Sequence, residues 1–268
     1  MPRPPVALTM AGSDSGGGAG IQADLKTFTV LGVFGMSAIT AVTVQNTVGV
    51  RDALVLEPQL VAAQIDAVLE DIGCDAAKTG MLGTAEVVEA VAARLIAHEV
   101  PNVVVDPVMV AKSGDRLLAE DARIAVIEHL LPAARLVTPN LPEAEALLGG
   151  EVTRETMEDA ARALCEMGAG AAVIKGGHLG AGAAEDVLYD AETGEVHRFR
   201  APRVETTNTH GTGCTFSSAI AAFLARGWRL ERAVAWGKRF VTEAIRRGLP
   251  LGEGHGPTDH IGAGRMFR

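Results

Sequence analysis

Short apolar stretches alternate with longer amphipathic stretches along most of the chain. A parallel β-sheet covered by helices produces this rhythm, because its buried strands are short apolar runs and each following helix has one apolar face. The predicted strands are Val6–Met10, Ser37–Val44, Ala76–Thr79, Val103–Asp106, Leu136–Thr138 and Ala172–Lys175. The pattern therefore predicts an α/β fold in one domain, residues 1–268, with a mostly parallel central sheet.

The amphipathic stretches predict the helices that cover this sheet. Between Gln59 and Glu70, for example, the apolar residues recur at helical spacing on one face. The predicted helices are Ile21–Leu31, Pro58–Ile72, Ala85–Ala97, Ala119–Leu130, Pro142–Leu148, Arg154–Met167, Cys214–Arg226 and Leu230–Arg247.

The end of the chain departs from this alternation. Two strand-like runs, Val187–Asp190 and Val196–Ala201, flank the turn sequence A-E-T-G and predict a β-hairpin. The segment from Leu249 to Arg268 is rich in glycine and weakly periodic, which predicts a loop packed on the body.

Composition and charge narrow the classes of protein. With 48% hydrophobic and 21% charged residues, the chain has the composition of a soluble globular protein. The net charge of −9 argues against a nucleic acid or an anionic membrane as partner, because both would repel the chain. No run of about 18 apolar residues occurs, so we expect no membrane-spanning helix. The three cysteines are far apart and form no C-x-x-C pair, which favours the reducing cytoplasm.

A glycine-rich stretch, A-G-S-D-S-G-G-G-A-G, joins the first predicted strand to the first predicted helix. Open α/β sheets bind ligands at such strand-to-helix turns. The stretch has neither the G-x-G-x-x-G nor the G-x-x-x-x-G-K-[ST] spacing, so it predicts neither a Rossmann site nor a Walker A loop. A tight turn that needs glycine backbone angles is the alternative interpretation.

The sequence T-H-G-T-G-C immediately before an apolar helix indicates an anion site. The glycines Gly211 and Gly213 allow several N–H groups to turn toward one point at the helix N-terminus, where the helix dipole favours negative charge. We expect the dipole to lower the pKa of Cys214, whose thiolate could accept a proton from an attacking hydroxyl. The alternative is an inert core cysteine.

Polar residues follow three neighbouring strands. Asp106 ends V-V-V, the residues Asn140 and Glu143 follow the next strand, and Lys175 ends A-V-I. Parallel strands bring their carboxyl ends to one edge, so we expect these groups to meet there, with oxygen ligands suited to Mg²⁺ and a cation suited to phosphate. A salt bridge between Lys175 and Asp106, and helix capping by Thr138 or Asn140, are the alternatives.

Two further strand ends suggest a pocket for a heterocycle. Gln45 can donate and accept along one edge of a ring, although a lone glutamine is weak support for this role. Met81 follows K-T-G, where it can form a pocket wall or belong to the core.

Taken together, the ordered motifs resemble the hydroxymethylpyrimidine/phosphomethylpyrimidine kinases of thiamine biosynthesis, within the ribokinase-like superfamily. They are A-G-S-D-S-G-G-G-A-G-I-Q-A-D-L-K-T, V-Q-N-T, K-T-G-M-L, V-D-P-V-M, T-P-N-L-P-E-A, K-G-G-H and T-H-G-T-G-C-T. They run from about residue 7 to 218 in family order, and the tail G-H-G-P also resembles the family's C-terminus.

The resemblance implies a three-layer αβα fold, the cofactors ATP and Mg²⁺, and site roles for particular residues. It implies transfer of phosphate to 4-amino-5-hydroxymethyl-2-methylpyrimidine and then to the monophosphate. Around the ring it places Gln45, Gly12, Asp24, Met81 and Val108. The catalytic set is Cys214, Gly211, Thr212, Gly213 and Lys175; the ATP phosphates would meet Asp106, Thr138, Lys175, Thr212 and Gly213; and the metal would be served by Asn140, Glu143 and Asp106.

Other functions stay open at this point. Related pyridoxal kinases also carry a G-T-G-C loop, so phosphorylation of vitamin B6 is an alternative or a side activity. A non-catalytic nucleotide or metabolite sensor is disfavoured, because it would not need Cys214, Lys175 and the Asn140/Glu143 pair together. The family also implies a homodimer. Many sugar kinases of the superfamily have an aspartate base where this chain has Cys214.

Overall fold

The structure is a computed structural model that describes residues 3–109, 120–177 and 183–267. Its strands are β1 (Val6–Asp14), β2 (Phe34–Gln45), β3 (Val50–Val55), β4 (Ala76–Thr79), β5 (Val103–Val105), β6 (Leu136–Val137), β7 (Ala171–Lys175), β8 (Ala184–Asp190) and β9 (Glu195–Ala201). They form a nine-stranded sheet in the order β3-β2-β1-β4-β5-β6-β7-β8-β9.

The middle of the sheet is parallel and both edges are antiparallel. Strands β2, β1, β4, β5, β6 and β7 pair in parallel, while β3 pairs antiparallel with β2. The predicted hairpin is confirmed as β8 and β9, which extend the other edge in antiparallel fashion. The sequence pattern missed β3, because Arg51, Asp52, Ala53 and Leu54 are all exposed on an edge strand and form no apolar run.

The helices lie close to their predicted positions. They are α1 (Gly20–Val30), α2 (Pro58–Asp71), α3 (Ala85–Ala97), α4 (Glu120–Ala125), α5 (Leu141–Leu148), α6 (Met157–Glu166), α7 (Thr212–Ala225), α8 (Leu230–Arg246) and α9 (His260–Gly264). A π-helical turn, Val126–Leu130, continues α4; the predicted start of this helix at Ala119 lies outside the described residues. The tail prediction was wrong in one respect, because it contains α9, which Asp259 caps by accepting from the Gly262 N–H.

The helices cover both faces of the sheet. On one face, α2 to α6 bury side chains such as Ile65, Val91 and Leu164. On the other face, α1, α7, α8 and α9 bury side chains such as Phe28 and Phe223. This is the expected three-layer αβα sandwich with a mostly parallel sheet. None of the helices in the described ranges combines the length and the apolarity needed to cross a membrane.

The topology fixes where a ligand can bind. Strand β1 lies between β2 and β4, so the chain first builds the sheet on one side of β1 and then on the other. Ligands of open α/β sheets bind at such a switch point, outside the carboxyl ends of the strands. Asp14, Gln45, Thr79 and Lys175 are all last residues of their strands on that edge.

Candidate active site

A cavity of about 860 Å³ opens along the carboxyl ends of the parallel strands. Its wall contains most of the residues singled out from the sequence: Gly12, Gln45, Met81, Asp106, Val108, Asn140, Glu143, Lys175, Gly211, Thr212, Gly213 and Cys214. Asp24 and Thr138 are not in this wall. The fold therefore brings residues as far apart in sequence as Gly12 and Cys214 into one site. Parallel strands contribute to this, because their carboxyl ends lie at one edge of the sheet.

The Asp14 carboxylate organises the glycine-rich loop at one end of this cavity. Its Oδ1 accepts from the Gly16 N–H at 2.8 Å, and its Oδ2 accepts from Gly18 N at 3.0 Å and Ala19 N at 2.8 Å. The His210 Nε2 also lies 2.8 Å from Oδ2. Burial alone would raise the pKa of Asp14, but these hydrogen bonds, above all that from His210, lower it. The sequence analysis does not include Asp14 among the site residues, and the one sequence signal for its role is a carboxylate inside a glycine run.

The residues expected to surround a ring meet beside this loop. Gly12 packs against the end of the Met81 side chain, since a Cβ on Gly12 would lie 2.7 Å from the Met81 Cε and the methionine would have to shift. Gln45 Oε1 accepts from the Thr43 hydroxyl at 3.1 Å, and Gln45 Nε2 lies 3.5 Å from His210 Nε2. Because His210 Nε2 donates its proton to Asp14, it does not accept from Gln45, and the hydrogen bond from the Thr43 hydroxyl orients the glutamine amide in the cavity wall.

Asp24 does not have the place that the resemblance implied. Its carboxylate is fully buried, lies 3.0 Å from Lys78 Nζ, and accepts from the hydroxyls of Thr9 at 2.6 Å and Ser218 at 2.7 Å. Both oxygens are therefore used inside the fold, and we do not retain Asp24 as a ring contact. Lys78, which the sequence analysis does not select, lines the cavity. Burial alone would lower the pKa of Lys78, but the negative charge of Asp24 outweighs burial and this pKa is raised.

One ammonium and two carboxylates form the charged part of the cavity wall. Lys175 Nζ lies 3.2 Å from Asp106 Oδ1 and 3.6 Å from Glu143 Oε2. Asp106 Oδ2 also accepts from the Ser217 hydroxyl at 3.0 Å, and Oδ1 lies 3.4 Å from Thr138 Oγ1. Thr138 is fully buried, so it supports Asp106 from behind and we do not retain it as a phosphate contact.

These carboxylates have opposite pKa shifts. Burial alone would raise the pKa of Asp106, but the charges of Lys175 and Lys78 outweigh it and hold that pKa below its usual value. Burial raises the pKa of Glu143. The charge of Lys175 opposes this effect, and the negative charge of Asp106 adds to it. Glu143 is consequently the carboxylate that would gain most from an additional cation.

Asn140 acts in the structure as the N-cap of α5. Its Oδ1 accepts from Glu143 N at 2.9 Å, while the Glu143 Oε2 accepts from Asn140 N at 2.7 Å. This reciprocal capping box fixes Glu143 relative to the strand end. Asn140 is therefore not retained as a metal ligand, and the capping alternative describes it better.

The loop before α7 has the geometry of an anion site. Gly211 has φ +77°, and a Cβ on it would lie 1.8 Å from the Gly18 carbonyl oxygen, so glycine is required. At Gly213 a Cβ would lie 3.6 Å from Asp106 Oδ2 and 3.7 Å from Lys175 Nζ, which places the helix start beside the charged group. The N–H of Thr212 donates to the Thr209 carbonyl at 3.3 Å. The next N–H groups, of Gly213 and Cys214, are in the first turn of the helix, where backbone N–H groups have no acceptor within the helix and can bind an anion.

The expectation of a lowered pKa for Cys214 was wrong. Burial raises the pKa of this thiol to about 11, the nearby charges of Asp24 and Asp106 add to that effect, and Lys78 opposes it. A hydrogen bond from the Gly20 backbone also lowers this pKa, but loss of solvation is the largest of the effects and decides the direction. The free thiol is therefore protonated at neutral pH.

Another part of the wall was not anticipated from the sequence. It combines the apolar side chains of Val204, Val241 and Ile245 with a buried ion pair, in which Lys238 Nζ lies 2.8 Å from Asp186 Oδ2. An apolar surface with a few polar groups suits a planar base. These residues come from β8, the segment after β9 and helix α8, and no local motif links them.

The donor set fits a magnesium ion with its waters. Asp106 and Glu143 place carboxylate oxygens on both sides of Lys175, and the raised pKa of Glu143 indicates a buried acidic group whose charge is incompletely balanced. Mg²⁺ is bound through one or two carboxylates, waters and substrate phosphates rather than by a full protein cage.

Comparisons with known proteins show the family of this chain. The family model described as phosphomethylpyrimidine kinase matches residues 14–259. A hydroxymethylpyrimidine/phosphomethylpyrimidine kinase of Streptomyces coelicolor is 53% identical over 96% of this chain and 94% of its own length. A thiamine biosynthesis bifunctional protein of Geobacter sulfurreducens is also 53% identical, over 97% of this chain but 53% of its own length. The chain thus spans about half of that bifunctional relative.

Solved structures with the same architecture come from two kinds of kinase. A Bacillus subtilis pyridoxal kinase, solved as an ADP complex, superposes with a TM-score of 0.90 at 41% identity and covers 97% of this chain and 98% of its own. A phosphomethylpyrimidine kinase of Clostridium difficile superposes with a TM-score of 0.79 at 40% identity, covering 90% of this chain and 99% of its own.

Proposed function

Because the chain belongs to the phosphomethylpyrimidine kinase family, we propose that it uses ATP to phosphorylate 4-amino-5-hydroxymethyl-2-methylpyrimidine and then the resulting monophosphate. One observation carries this proposal. A single cavity joins a ring pocket around Gln45 to the anion loop at Gly211 and to the charged group around Lys175. Phosphoryl transfer needs this combination, because its catalysis consists mainly of positioning and of charge stabilisation.

In the first reaction the hydroxymethyl oxygen attacks the γ-phosphorus of ATP. The new P–O bond forms as the bond to the β–γ bridging oxygen breaks, and ADP leaves with the electron pair. The hydroxyl proton leaves to a base, for which the Cys214 thiolate is the candidate. Lys175 and the N–H groups of the loop Gly211–Gly213 would stabilise the negative charge that shifts during this step. In the second reaction a phosphate oxygen of the monophosphate takes the place of the hydroxyl.

Mg²⁺ is part of the proposal, with Asp106 and Glu143 as the residues that would hold its waters. When bound there, the ion would supply positive charge that offsets the negative charge of the ATP phosphates. The protein's own contribution is the fixed spacing of the two carboxylates, which the capping box at Asn140 and the hydroxyl of Ser217 maintain.

A turnover assay tests the proposal against its alternatives. ATP consumption is measured with the hydroxymethylpyrimidine, with its monophosphate and with pyridoxal, at equal enzyme concentration. We expect the highest kcat/KM with the two pyrimidines. No turnover with any of the three would support a non-catalytic binding protein and contradict the proposal.

Pyridoxal is the second candidate substrate, for one reason. The Bacillus subtilis pyridoxal kinase has the same architecture over nearly the full length of both chains. Pyridoxal also presents a hydroxymethyl group on an aromatic nitrogen ring, so the same chemistry would apply. A higher kcat/KM for pyridoxal than for either pyrimidine would reverse the order of the two candidates.

Substitution of Gln45 tests the ring pocket. We expect Gln45→Ala to raise KM for the pyrimidine about tenfold to hundredfold with little change in KM for ATP, since a substrate amino group and ring nitrogen would lose their partners. Steady-state kinetics with each substrate varied in turn measure this. Unchanged pyrimidine KM would remove Gln45 from the role of ring reader.

The raised pKa of Cys214 makes a prediction about pH. If the thiolate accepts the hydroxyl proton, its fraction rises tenfold per pH unit below a pKa of about 11, so kcat should rise from pH 7 toward pH 10. Cys214→Asp should be active with a flat profile over that range, because a carboxylate is already ionised. Cys214→Ala should lose about 10² in kcat.

Steady-state kcat across this pH range, with saturating substrates, measures the difference. The same profile in wild-type enzyme and in Cys214→Asp, or full activity in Cys214→Ala, would contradict a base role and leave the backbone N–H groups as the catalytic part of the loop.

We also propose that the protein is a homodimer in the cytoplasm. The β2–β3 hairpin exposes apolar side chains, with Val42 at 47%, Val44 at 54% and Leu54 at 68% exposure, and Val42 pairs directly with Leu54. Such a patch on an edge of the sheet suits a second copy. A dimer mass in sedimentation equilibrium that falls to the monomer mass in Leu54→Glu supports this; a monomeric wild type contradicts it. The three unpaired cysteines agree with a reducing compartment.

A further inference from the structure

The C-terminal segment 249–260 contacts both loops that form the active site. At the ring pocket, His255 N donates to the Thr47 carbonyl at 2.8 Å, and a Cβ on Gly254 would lie 2.1 Å from that oxygen. At the anion loop, His210 N donates to the Gly256 carbonyl at 3.0 Å. The segment is therefore not a passive covering, because it joins two loops that are distant in sequence.

His260, at the start of α9, extends this connection to the first turn of α7. The residue is 4% exposed, and its Nε2 lies 2.9 Å from the Thr215 hydroxyl oxygen. The same hydroxyl lies 2.8 Å from the carbonyl oxygen of Gly211 and 3.3 Å from the hydroxyl of Thr258. Three groups thus surround one oxygen that has one proton.

The Gly211 carbonyl receives two hydrogen bonds from Thr215, one from the hydroxyl at 2.8 Å and one from the backbone N–H at 2.9 Å. When the hydroxyl donates to this carbonyl, its oxygen can accept from a neighbour. We therefore assign the proton of His260 to Nε2, which makes the imidazole the donor to Thr215. Burial lowers the pKa of His260 to about 4, which agrees with a neutral ring at neutral pH. The direction of donation runs from His260 to Thr215 to the Gly211 carbonyl.

This chain of hydrogen bonds ends at Gly211, where the backbone conformation is restricted. Gly211 has the left-handed φ of +77° and touches the Gly18 carbonyl, so its peptide has little freedom on one side. The carbonyl held by Thr215 fixes the other side of the same residue. The peptide orientation at Gly211 decides where the next N–H groups of the loop point, and these are the groups that would face a phosphate.

We propose that His260 is a positioning residue for the anion loop, acting through the Thr215 hydroxyl on the Gly211 peptide. The inference rests on the proposed function, since it assumes that a phosphate of ATP binds at this loop. His260 touches neither substrate nor the reacting atoms. Its effect is to hold the loop in the conformation that binds the charge developing on the transferred group.

The test compares variants that keep or remove the donor. Glutamine can place an N–H near the position of the histidine Nε2, so His260→Gln should retain kcat within about twofold. His260→Leu removes the donor, and we expect it to lower kcat and the affinity for the ATP analogue AMP-PCP about threefold to tenfold. Pyrimidine affinity, measured by calorimetry without nucleotide, should not change. Ile261→Ser is the matched control, since Ile261 is the next residue and is 63% exposed.

A double-mutant cycle separates positioning from general stability. If His260 acts through Thr215, the double variant His260→Leu/Thr215→Val should be no worse than Thr215→Val alone. Additive losses of kcat in the double variant would overturn the proposal, and so would equal losses in His260→Gln and His260→Leu. A loss of kcat that follows the change in Tm in all variants would also overturn it. If His260→Leu does not fold, His260→Gln is compared with Thr215→Val. Retained kcat and AMP-PCP affinity in His260→Gln with losses in Thr215→Val support the proposal, and equal values in the two variants overturn it.

The AMP-PCP measurement distinguishes failure of the positioning role of His260 from failure of the proposed function. Wild-type protein that binds AMP-PCP but turns over no pyrimidine would contradict the proposed reaction and leave the positioning test readable. Equal AMP-PCP affinity in wild type and His260→Leu, with normal pyrimidine turnover in both, would overturn the positioning role alone.

Discussion

Lys175→Met is expected to lower kcat by about 10³ while the affinity for the pyrimidine changes little. The ammonium lies 3.2 Å from Asp106 and 3.6 Å from Glu143 at the edge of the cavity, next to the start of α7. Charge moves toward the leaving phosphate oxygens in the transition state, so the cation contributes more there than to ground-state binding. ATP-consumption kinetics and calorimetric titration with the pyrimidine measure the two effects.

The same substitution should also destabilise the fold, because it leaves two buried carboxylates without their shared partner. The pKa of Asp106 would then rise, since Lys175 is the largest of the effects that lower it. Adding Glu143→Gln removes one of the two charges. We expect the double variant to regain much of the lost Tm but none of the lost kcat.

This pair of variants distinguishes catalysis from structure. Wild-type kcat in Lys175→Met, or recovery of kcat along with Tm in the double variant, would show that Lys175 is a structural salt-bridge residue. The alternative reading of the sequence, an ion pair between Lys175 and Asp106, is present in the structure, so only kinetics can show that the same ammonium also serves the phosphate.

Gly211→Ala is expected to reduce kcat by about 10³ and to weaken ATP binding. The added methyl group would lie 1.8 Å from the Gly18 carbonyl, so the anion loop and the glycine-rich loop cannot keep their present contact. The substitution also forces an L-residue into a left-handed conformation, at a cost of about 1–2 kcal/mol.

Gly227→Ala separates these two effects. Gly227 has a φ of +78°, nearly that of Gly211, but a Cβ there would meet no atom within 4 Å. Both variants therefore pay the same backbone strain, and only Gly211→Ala adds the clash at the active site. We expect Gly227→Ala to lower Tm with kcat unchanged. Comparable kcat in the two variants would contradict the anion site at Gly211.

Local pattern was enough to predict much of this molecule. The six parallel strands, the hairpin of β8 and β9 and nearly all helices follow from hydrophobic periodicity, because buried strands and helix faces need apolar side chains at regular spacing. The strand-end motifs around Gln45, Asp106 and Lys175 also follow, because parallel strands place their carboxyl ends on one edge. The glycines before an apolar run likewise predict the helix-start loop at Gly211.

Other features depend on neighbours that are distant in sequence. Strand β3 is stabilised by pairing with β2 rather than by an apolar run of its own. Asp24 was expected at the ring, but Lys78, Thr9 and Ser218 from three other elements use its carboxylate. Asn140 had two interpretations, and only the position of the Glu143 side chain showed that it caps the helix.

The sequence by itself determined the alternation of strands and helices, the strand ends that carry polar groups and the family to which the motifs belong, since these are properties of spacing and residue type. The three-layer order followed from the resemblance to that family. Only the tertiary structure decided the electrostatics and the contacts between segments. The raised pKa of Cys214 and the contact of His260 with Thr215 both arise from burial and from distances across the fold. Solvation and Coulomb interactions depend on three-dimensional distance, which a helix-start motif does not specify.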